Sequence, residues 1–242
     1  MATAEKKRPQ SSSGAGMRPN RKEVHLFLPP LPHPSPPLLS RAGIGLSVYL
    51  ESGRGDRLTL PMRKYIQNLL KVNMEEPYGP EWPSEEKVKR QEMVVPDARY
   101  ILVKQYSNGF TTECSMNQSV EGRLVGFVHY RFVLEEELPV VYVYELQMEP
   151  SAQGKGLGKF LMQLIEQIAC KNQMGAVMLT VQKANTQAMA FYSKLRYVIS
   201  STSPSRVDPQ IGLEKSYKIL CKTFDSKAKS KLEVCSVLLH MS

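Results

Sequence analysis

The sequence predicts one α/β domain built around a mixed sheet, and three observations support this fold class. Segments with strand-like alternation and segments with helical spacing follow one another through most of the chain. At the centre, residues 142–182 read as a strand, a glycine-rich turn, a helix and a second strand, which is a crossover connection. Of the 242 residues, 42% are hydrophobic, as is typical of a globular protein with a buried core.

Composition divides the chain into three parts. Residues 1–41 are rich in Ser, Pro, Lys and Arg, and their six prolines between positions 29 and 37 exclude a continuous helix or a central strand. We therefore predict a disordered segment over residues 1–41, the α/β domain over residues 42–224 and a loosely structured C-terminal tail over residues 225–242.

The first half of the domain begins with a strand, GLSVYLES, followed by a helix with Pro61 in its first turn. Five apolar residues fall on one stripe of this helix: Met62, Ile66, Leu69, Leu70 and Met74. A second, more polar helix follows Ser84, which we expect to cap it. Three strands come next, RYILVKQY, RLVGFVHYRFVLE and VVYVYELQME, with a long polar loop over residues 107–122 between the first two.

The second half begins with the glycine turn at Gln153 and the helix after it. This helix is predicted to bury five residues: Phe160, Leu161, Leu164, Ile165 and Ile168. The apolar run AVMLTV indicates a strand buried on both faces. A helix capped by Asn185 follows, and YVIS and KSYKILCKTF are the last two strands.

The formal net charge of +9 would suggest a polyanionic partner if it lay on one folded face. It is concentrated at the ends: residues 1–41 contain seven Lys or Arg and two Glu, and residues 214–242 contain six basic and three acidic residues. Because the remainder is nearly balanced, we expect no direct nucleic-acid binding by the core domain. The basic ends leave contacts with chromatin or a ribosome open.

Cysteine and apolar patterns exclude further classes. Cys114, Cys170, Cys221 and Cys235 form no C-x-x-C pair, and the four histidines are scattered, so we expect neither a metal site nor a disulfide framework. No uninterrupted apolar run approaches the length of a membrane-spanning helix, so we expect no membrane partner.

The turn QGKGLGKF has a glycine at every second position between a strand and a helix. Such a turn exposes backbone N–H groups at the positive end of the helix dipole, which is a site for phosphate oxygens. The spacing G-x-G-x-G departs from the dinucleotide-binding fingerprint, and no G-K-[ST] follows to make a P-loop.

LQMEPSAQGKGLGKFLMQLI, followed by VMLTVQKANTQAMAFYSKLRYV, resembles the GNAT family of acetyl-CoA-dependent acetyltransferases. Gln153, Gly156 and Gly158 match the family's Q/R-x-x-G-x-G/A turn, and the resemblance covers residues 45–224. The segments NMEEPYGPEW, VYVYELQ, KGLGKFL and SSTSPS make it closest to the NatD-type N-terminal acetyltransferases, whose substrates are core histones beginning Ser-Gly-Arg-Gly.

The resemblance implies a V-split mixed sheet with flanking helices and with acetyl-CoA, the co-substrate, between the parted strands. Backbone groups of Leu146, Gln147 and Met148 are expected to pair with the pantetheine arm, and the turn with the pyrophosphate. The remaining residues implied for acetyl-CoA are Gln153, Gly154, Lys155, Gly156, Leu157, Gly158, Lys159 and Asn185, the last near the thiol end.

For catalysis, the resemblance makes Glu145 the candidate base and Tyr192 the candidate acid for the leaving thiolate. Glu145 lies on the strand just before the turn, and the alternative is an ordinary ion pair at a strand edge. For Tyr192 the alternative is helix packing through its ring.

The resemblance implies six residues that contact the substrate peptide: Tyr78, Trp82, Glu135, Tyr144, Thr180 and Tyr217. Trp82, the single tryptophan, lies in a proline-flanked loop between two helices, where bare sequence favours a core anchor. Glu135 belongs to the run Glu135-Glu136-Glu137, which is either a solvated loop or an acidic rim that pairs with the arginine at the third substrate position. Because Val133 stands where the family has an acidic residue, Glu135 would carry that contact alone.

The sequence therefore predicts an acetyltransferase acting on the N-terminal serine amine of core histone tails, in the nucleus and the cytoplasm. Two alternatives stay open: a GNAT enzyme acting on lysine or a small amine, and a non-catalytic acyl-CoA-binding module.

Overall fold

The computed structural model of the protein describes residues 22–23, 47–106 and 122–233. It contains eight strands: β1 (Lys22–Glu23), β2 (Val48–Arg54), β3 (Arg99–Gln105), β4 (Arg123–Glu135), β5 (Leu138–Met148), β6 (Ala176–Gln182), β7 (Val198–Ile199) and β8 (Tyr217–Thr223). All eight belong to one sheet: seven follow the order β2-β3-β4-β5-β6-β8-β7, and β1 pairs with β4. The β5–β6 pair is parallel and the other neighbours are antiparallel, which confirms the predicted mixed sheet.

The helices are α1 (Leu60–Tyr78), α2 (Trp82–Glu92), α3 (Leu157–Lys171), α4 (Thr186–Lys194), α5 (Pro204–Val207), α6 (Pro209–Glu214) and α7 (Ser226–Leu232). The four longest confirm the helices expected from the sequence, and Asn185 caps α4 as predicted. The prediction that Ser84 caps α2 is wrong. A three-residue 3-10 turn, Gly79–Glu81, joins α1 almost directly to α2, so Ser84 already lies inside that helix.

The sheet carries helices on both faces because its strands are apolar on both. Tyr100 and Leu102 of β3 face Ile66, Leu69 and Leu70 of α1. The alternate residues of the same strand, Ile101 and Val103, share a cluster with buried residues of α3 on the opposite face. In α3 these are Leu161, Ile165 and Ile168, with Phe160 and Leu164 partly buried beside them, as predicted.

The C-terminal region differs from the prediction. The sequence indicates a loosely structured tail from Asp225, whereas the structure has the helix α7 there, capped by the Asp225 side chain. Ala228 and Leu232, four residues apart in the lysine-rich segment, are fully buried against β6 and β8. Tertiary burial of these two residues outweighs the polar local composition.

The N-terminal region contributes one short element to the described residues. β3 pairs with β4 between Arg123 and Tyr130, so β4 continues past the start of β3 as far as Glu135. Lys22 and Glu23 of β1 pair with Leu134 and Val133 on this otherwise open edge of β4. The rest of residues 1–41, and the predicted polar loop apart from Gly122, lie outside the described residues.

The sheet divides at its centre, and this division positions the site. β5 pairs with β6 from Val140 to Val143, opposite Ala176 to Leu179. A bulge follows, because His129 of β4 pairs with Glu145 and Tyr130 pairs with Val143, which leaves Tyr144 between them. In the described part of both strands the pairing ends there, so β5 and β6 separate as the predicted V-split sheet.

Candidate active site

A cleft of about 1010 Å³ occupies the space between the separated strands. Residues 142–148 of β5 form one wall, and residues 179–182 of β6 with the start of α4 form the other. The glycine turn before α3 lies at one end of the cleft, and the C-terminal part of α1 borders it as well.

None of the helices in the described part of the chain has the length and apolar character that a bilayer crossing requires.

The glycine turn has the geometry of an anion-binding nest. Gly154 and Gly156 adopt φ values of 69° and 77°, in the left-handed region that favours glycine. A Cβ at either position would meet nothing within 4 Å, so both backbones face open space. Gly158 serves a different purpose, since a Cβ there would lie 3.2 Å from the Phe191 ring. The three glycines therefore have two causes: a left-handed backbone at Gly154 and Gly156, and close packing against Phe191 at Gly158.

Helix α3 begins directly after this nest. Gly156 is its N-cap residue, and no side chain in the described residues caps the helix there. The first backbone N–H groups of a 15-residue helix are therefore directed toward the cleft with the positive end of its dipole. This arrangement fits the pyrophosphate of acetyl-CoA. Lys159 lines the cleft, whereas Lys155 does not, and the side chain of Leu157 is buried in the core.

Strand β5 presents alternate backbone groups to the cleft. The Glu149 N–H donates to the carbonyl oxygen of Val125 in β4. By alternation, the backbone groups of Leu146 and Met148 are directed to the cleft side and those of Gln147 toward β4. The sequence predicts that the Gln147 backbone pairs with the pantetheine arm. In the structure this backbone is directed toward β4, and Gln147 contributes its buried side chain to the lining of the cleft.

The carbonyl oxygen of Met148 already has two partners. It accepts hydrogen bonds from the side-chain amides of Asn73 in α1, at 3.1 Å, and Gln153 in the turn, at 3.0 Å. These bonds tie the end of β5 to α1 and to the glycine turn. Gln153 therefore has a structural role in this structure, in addition to its predicted one.

Asn185 lies at the far wall of the cleft as the N-cap of α4. Its Oδ1 accepts a hydrogen bond from the Ala188 N–H at 2.9 Å, and the residue lines the cleft. The cap fixes the direction of the side chain, and its amide nitrogen stays available for the contact near the thiol end that the sequence predicts.

Glu145 is buried, with 7% of its surface exposed, and borders the cleft. Lys89 of α2, itself 4% exposed, forms an ion pair with Oε1, and the side chain of Gln147 donates to Oε2 at 3.0 Å. An ion pair was the alternative to a catalytic role. The structure contains it in the wall of the cleft instead of at an exposed strand edge, so the two interpretations are compatible.

An aromatic stack supports the strand beside Glu145. The ring of His129 lies between those of Tyr100 and Tyr144, with centroids 5.0 Å and 4.9 Å away. The guanidinium of Arg131 lies 4.3 Å from the centroid of Tyr144 on β5. These contacts hold the bulge residue Tyr144, and they fix the direction in which the next residue, Glu145, leaves the strand.

Tyr192 on α4 is 8% exposed and lines the cleft. Burial, and then the negative charge of Glu145, raise the pKa of its hydroxyl well above the usual value. A phenol with a raised pKa is a weaker proton donor toward a thiolate, although its O–H can still donate a hydrogen bond. The ring also packs against Phe191 and Tyr197, which supports the packing alternative.

The six predicted substrate residues divide into two groups. Tyr78, Tyr144 and Thr180 line the cleft, and the Thr180 hydroxyl is hydrogen-bonded to that of Tyr142 at 2.5 Å. Trp82, Glu135 and Tyr217 do not line it. Tyr217 pairs with Gln182 at the end of β6, next to the lining residues.

Trp82 and Glu135 lie in different surroundings from those expected. Trp82 is the first residue of α2, not part of a loop, and it is buried with its ring 5.9 Å from that of Tyr78. It therefore packs against Tyr78, which forms the aromatic wall of the cleft together with Tyr144, and it does not line the cleft itself. Glu135 is buried at the β4–β5 hairpin, opposite Leu138. Leu138 lies four positions before Tyr142, the first cleft-lining residue of β5, so Glu135 is about 13 Å along the strand from the cleft.

Sequence reasoning did not identify Lys89, Asn73 or His129. Lys89 and Asn73 lie on helices with ordinary amphipathic patterns, and His129 lies within a strand. Their proximity to Glu145 and Gln147 depends on how α1, α2 and β4 meet. The sequence offers one signal for Lys89. It lies seven residues after Trp82 and four before Met93, so it falls on the same helical face as these two buried apolar residues.

Comparison with known proteins agrees with this architecture. The model of the family described as "Acetyltransferase (GNAT) family" matches residues 66–197, which is more than half of the chain. The chain therefore belongs to the GNAT family of acetyltransferases, and its co-substrate is acetyl-CoA.

Two curated relatives match part of the chain. L-2,4-diaminobutyric acid acetyltransferase of Halalkalibacterium halodurans is 35% identical over 98 residues, 40% of this chain and 49% of that protein. Mycothiol acetyltransferase of Nocardia farcinica is 33% identical over 86 residues, 36% of this chain and 27% of that protein. The chain thus spans about half or less of the length of these relatives.

Solved structures resemble it more distantly. The PaiA N-acetyltransferase of Thermoplasma acidophilum, in complex with coenzyme A, is 15% identical with a TM-score of 0.47, over 72% of this chain and 99% of that one. The NAA60 of Arabidopsis thaliana, in complex with a bisubstrate analogue, is 13% identical with a TM-score of 0.48, over 73% and 99%.

Proposed function

We propose that this GNAT acetyltransferase is a NatD-type enzyme that acetylates the N-terminal serine amine of core histone tails beginning Ser-Gly-Arg-Gly. The observation that carries the proposal is the position of Glu145, a buried carboxylate that opens into the cleft beside Tyr144. Tyr78 and Thr180 line the same cleft, so aromatic and small polar groups surround the place where an amine would arrive.

The chemistry needs a neutral amine, a bound acetyl donor and a proton acceptor. When bound, acetyl-CoA supplies an acetyl group activated as a thioester; the amine nitrogen bonds to the acetyl carbon, the carbon–sulfur bond breaks, and the sulfur leaves as the thiolate of coenzyme A. Glu145 accepts the proton that the amine nitrogen loses, and this proton then passes to the thiolate, so that coenzyme A is released as the thiol and Glu145 is ionised again. The nest of residues 154–158 and the cleft-facing backbone groups of Leu146 and Met148 hold the donor.

The chemistry of the base favours an α-amine over a lysine side chain. An α-amine has a pKa of about 7.7–8.0 and a lysine amine one of about 10.4, so near neutral pH the α-amine supplies far more neutral nucleophile. A carboxylate base is adequate for the first and weak for the second. This reasoning supports N-terminal acetylation, and the sequence likeness to the NatD-type enzymes supplies the choice of a serine start.

Partners and compartment follow from the same proposal. Core histone tails would be the protein partners, in the nucleus and the cytoplasm, and the basic ends of the chain would assist contact with chromatin or a ribosome. Glu135 remains the proposed partner of the substrate arginine. Its place at the hairpin requires that arginine to extend along β5 away from Glu145.

The test is mass spectrometry of a Ser-Gly-Arg-Gly-Lys peptide incubated with the purified protein and acetyl-CoA. The same peptide with its α-amine blocked is the matched control. We expect one acetyl group on the serine amine and none on the blocked peptide. Acetylation of both peptides to the same extent would contradict the proposal.

A second candidate function has one observation in its favour. The curated relatives named above are an L-2,4-diaminobutyric acid acetyltransferase and a mycothiol acetyltransferase, and both names refer to small molecules. An enzyme for a small amine or a lysine side chain would acetylate free diamines or the blocked peptide in the same assay. A non-catalytic module would bind acetyl-CoA without forming product from any of these amines.

A further inference from the structure

The negative charge of the candidate base Glu145 is compensated by a buried lysine, Lys89. Lys89 lies on α2, whose exposed surface carries Lys87 and Arg90, yet the Lys89 side chain is directed inward and is 4% exposed. Its ammonium group forms the ion pair with Glu145 and lies 5.1 Å from the centroid of the Tyr78 ring. Lys89 therefore contacts both the base and the aromatic wall of the cleft.

Both carboxylate oxygens of Glu145 are held by named donors. Lys89 binds Oε1, and the Gln147 amide donates to Oε2. Gln147 is fixed in turn, because its own Oε1 accepts a hydrogen bond from the Asn73 amide at 3.0 Å. Three elements, α2, β5 and α1, thus determine the orientation of one carboxylate.

Apolar and titratable groups surround this carboxylate. Ile66, Leu70 and Met93 border it on the side away from the cleft. The titratable and charged groups that face it from the neighbouring elements are Lys89 and Glu92 on α2, Tyr100 on β3, His129 and Arg131 on β4, Tyr144 on β5 and Tyr192 on α4. Within this set, Lys89 is the cation in direct contact with Glu145.

We infer that Lys89 is a positioning residue, which keeps Glu145 ionised and aimed into the cleft so that it can accept the proton of the substrate amine. A buried carboxylate without a cationic partner favours the protonated form, which cannot act as a base. The paired ammonium compensates the buried negative charge and, with Gln147, prevents rotation of the carboxylate. The inference rests on the proposed role of Glu145, and it adds the residue on which that role depends.

The experiment compares the pH dependence of kcat/KM in the wild type, Lys89→Met, Lys89→Arg and the control Lys87→Met. In the wild type the acid limb reflects one ionisation, that of the substrate amine, and the logarithm of kcat/KM rises with a slope of about one below pH 7.7. In Lys89→Met we expect at least a tenfold loss at about pH 7 and a slope approaching two at low pH, because Glu145 then also binds a proton.

The controls separate positioning from general damage. Lys89→Arg should recover a slope of one, and Lys87→Met, an exposed lysine of the same helix, should match the wild type. The double variant Lys89→Met with Glu145→Gln removes both charges and preserves a packed neutral pair. Its kcat/KM should equal that of Glu145→Gln alone, since Lys89 acts through Glu145. A further additive loss, or a slope of one in Lys89→Met, would overturn the inference.

A second readout does not depend on the substrate. In protein labelled with carboxyl-¹³C glutamate, the Glu145 resonance is identified by its loss in Glu145→Gln and followed with pH. We expect it to titrate at higher pH in Lys89→Met than in the wild type. An inactive wild type that shows this difference would contradict the proposed substrate and leave the positioning role intact, whereas unchanged titration would contradict the positioning role itself.

Discussion

The two halves of strand β5 differ in how their edges are paired and in the side chains that they carry. Residues 140–143 pair with β4 on one edge and with β6 on the other, and their side chains are apolar or aromatic and buried. Residues 144–148 keep β4 and lose β6, and they include the buried polar residues Glu145 and Gln147. One bulge, at Tyr144, separates the halves.

The difference shows how one strand serves stability and chemistry in turn. Where both edges are paired, backbone groups are satisfied within the sheet and the side chains contribute to the core. Where one edge is open, backbone groups and polar side chains face a cleft and need partners from other elements. Lys89, Asn73 and Gln153 supply partners of that kind.

The largest effect is expected in the open half, from Glu145→Gln. This change keeps the size of the side chain and removes the proton acceptor, so we expect kcat to fall by about 10²–10⁴-fold while the affinity for acetyl-CoA is retained. Steady-state kinetics and calorimetric titration would measure the two quantities.

The matched control for that variant is Glu166→Gln, which removes a half-buried carboxylate paired with Lys222 away from the cleft. It should leave kcat within about twofold of the wild type. Equal turnover in Glu145→Gln and the wild type would remove Glu145 from the mechanism.

The paired half should respond in stability instead. Val141 is fully buried between α3 and the sheet, and Val141→Ala removes two methyl groups from that core. We expect a loss of about 2 kcal/mol in the free energy of unfolding, measured by urea denaturation. The kcat of the folded enzyme should stay nearly unchanged, and a large loss of kcat at full folding would break the distinction between the halves.

The glycine turn extends the comparison beyond the strand. Gly156→Ala places a Cβ into the nest at a φ of 77°, so we expect acetyl-CoA affinity to fall about tenfold and stability by about 1 kcal/mol. Gly79→Ala is the matched control, because Gly79 also has a positive φ and a Cβ added there would likewise meet nothing within 4 Å. It should lose stability and keep acetyl-CoA affinity; a similar loss of affinity in both variants would argue against the nest.

The smallest effect is expected from Tyr192→Phe. Burial and the nearby Glu145 charge raise the pKa of this hydroxyl, so it is a weak acid that favours its protonated state. We expect kcat to change by less than about threefold, since general acid catalysis typically contributes 10² or more. A loss of a hundredfold, with acetyl-CoA affinity intact, would instead identify Tyr192 as the acid.

Features that depend on local residue patterns were predicted well from the sequence. Features that depend on contacts between distant segments were predicted poorly. The stripe of α1, the buried run of β6, the Asn185 cap and the glycine turn are local patterns, and the structure contains all of them. Helix α7 was not predicted, because its formation depends on burying Ala228 and Leu232 against distant strands. The same holds for the short helices α5 and α6.

Part of the candidate site followed the same division. Gly154 and Gly156 were predicted from the glycine turn, and the roles of Asn185 and Glu145 were predicted from the resemblance to the GNAT family; all four residues line the cleft. The ion pair with Lys89 joins residues 56 positions apart, and the Asn73–Gln147 bond joins residues 74 apart. Such contacts depend on how helices cross the sheet, which local spacing does not specify.

The most direct test of the account is amide hydrogen exchange with and without acetyl-CoA. The open half of β5 should bind the co-substrate, so exchange should slow in peptides covering residues 144–148 and 153–160. It should stay unchanged in residues 140–143, whose backbone is already paired on both edges. Protection confined to other parts of the chain, or none in the open half despite saturating acetyl-CoA, would contradict the assignment of this cleft.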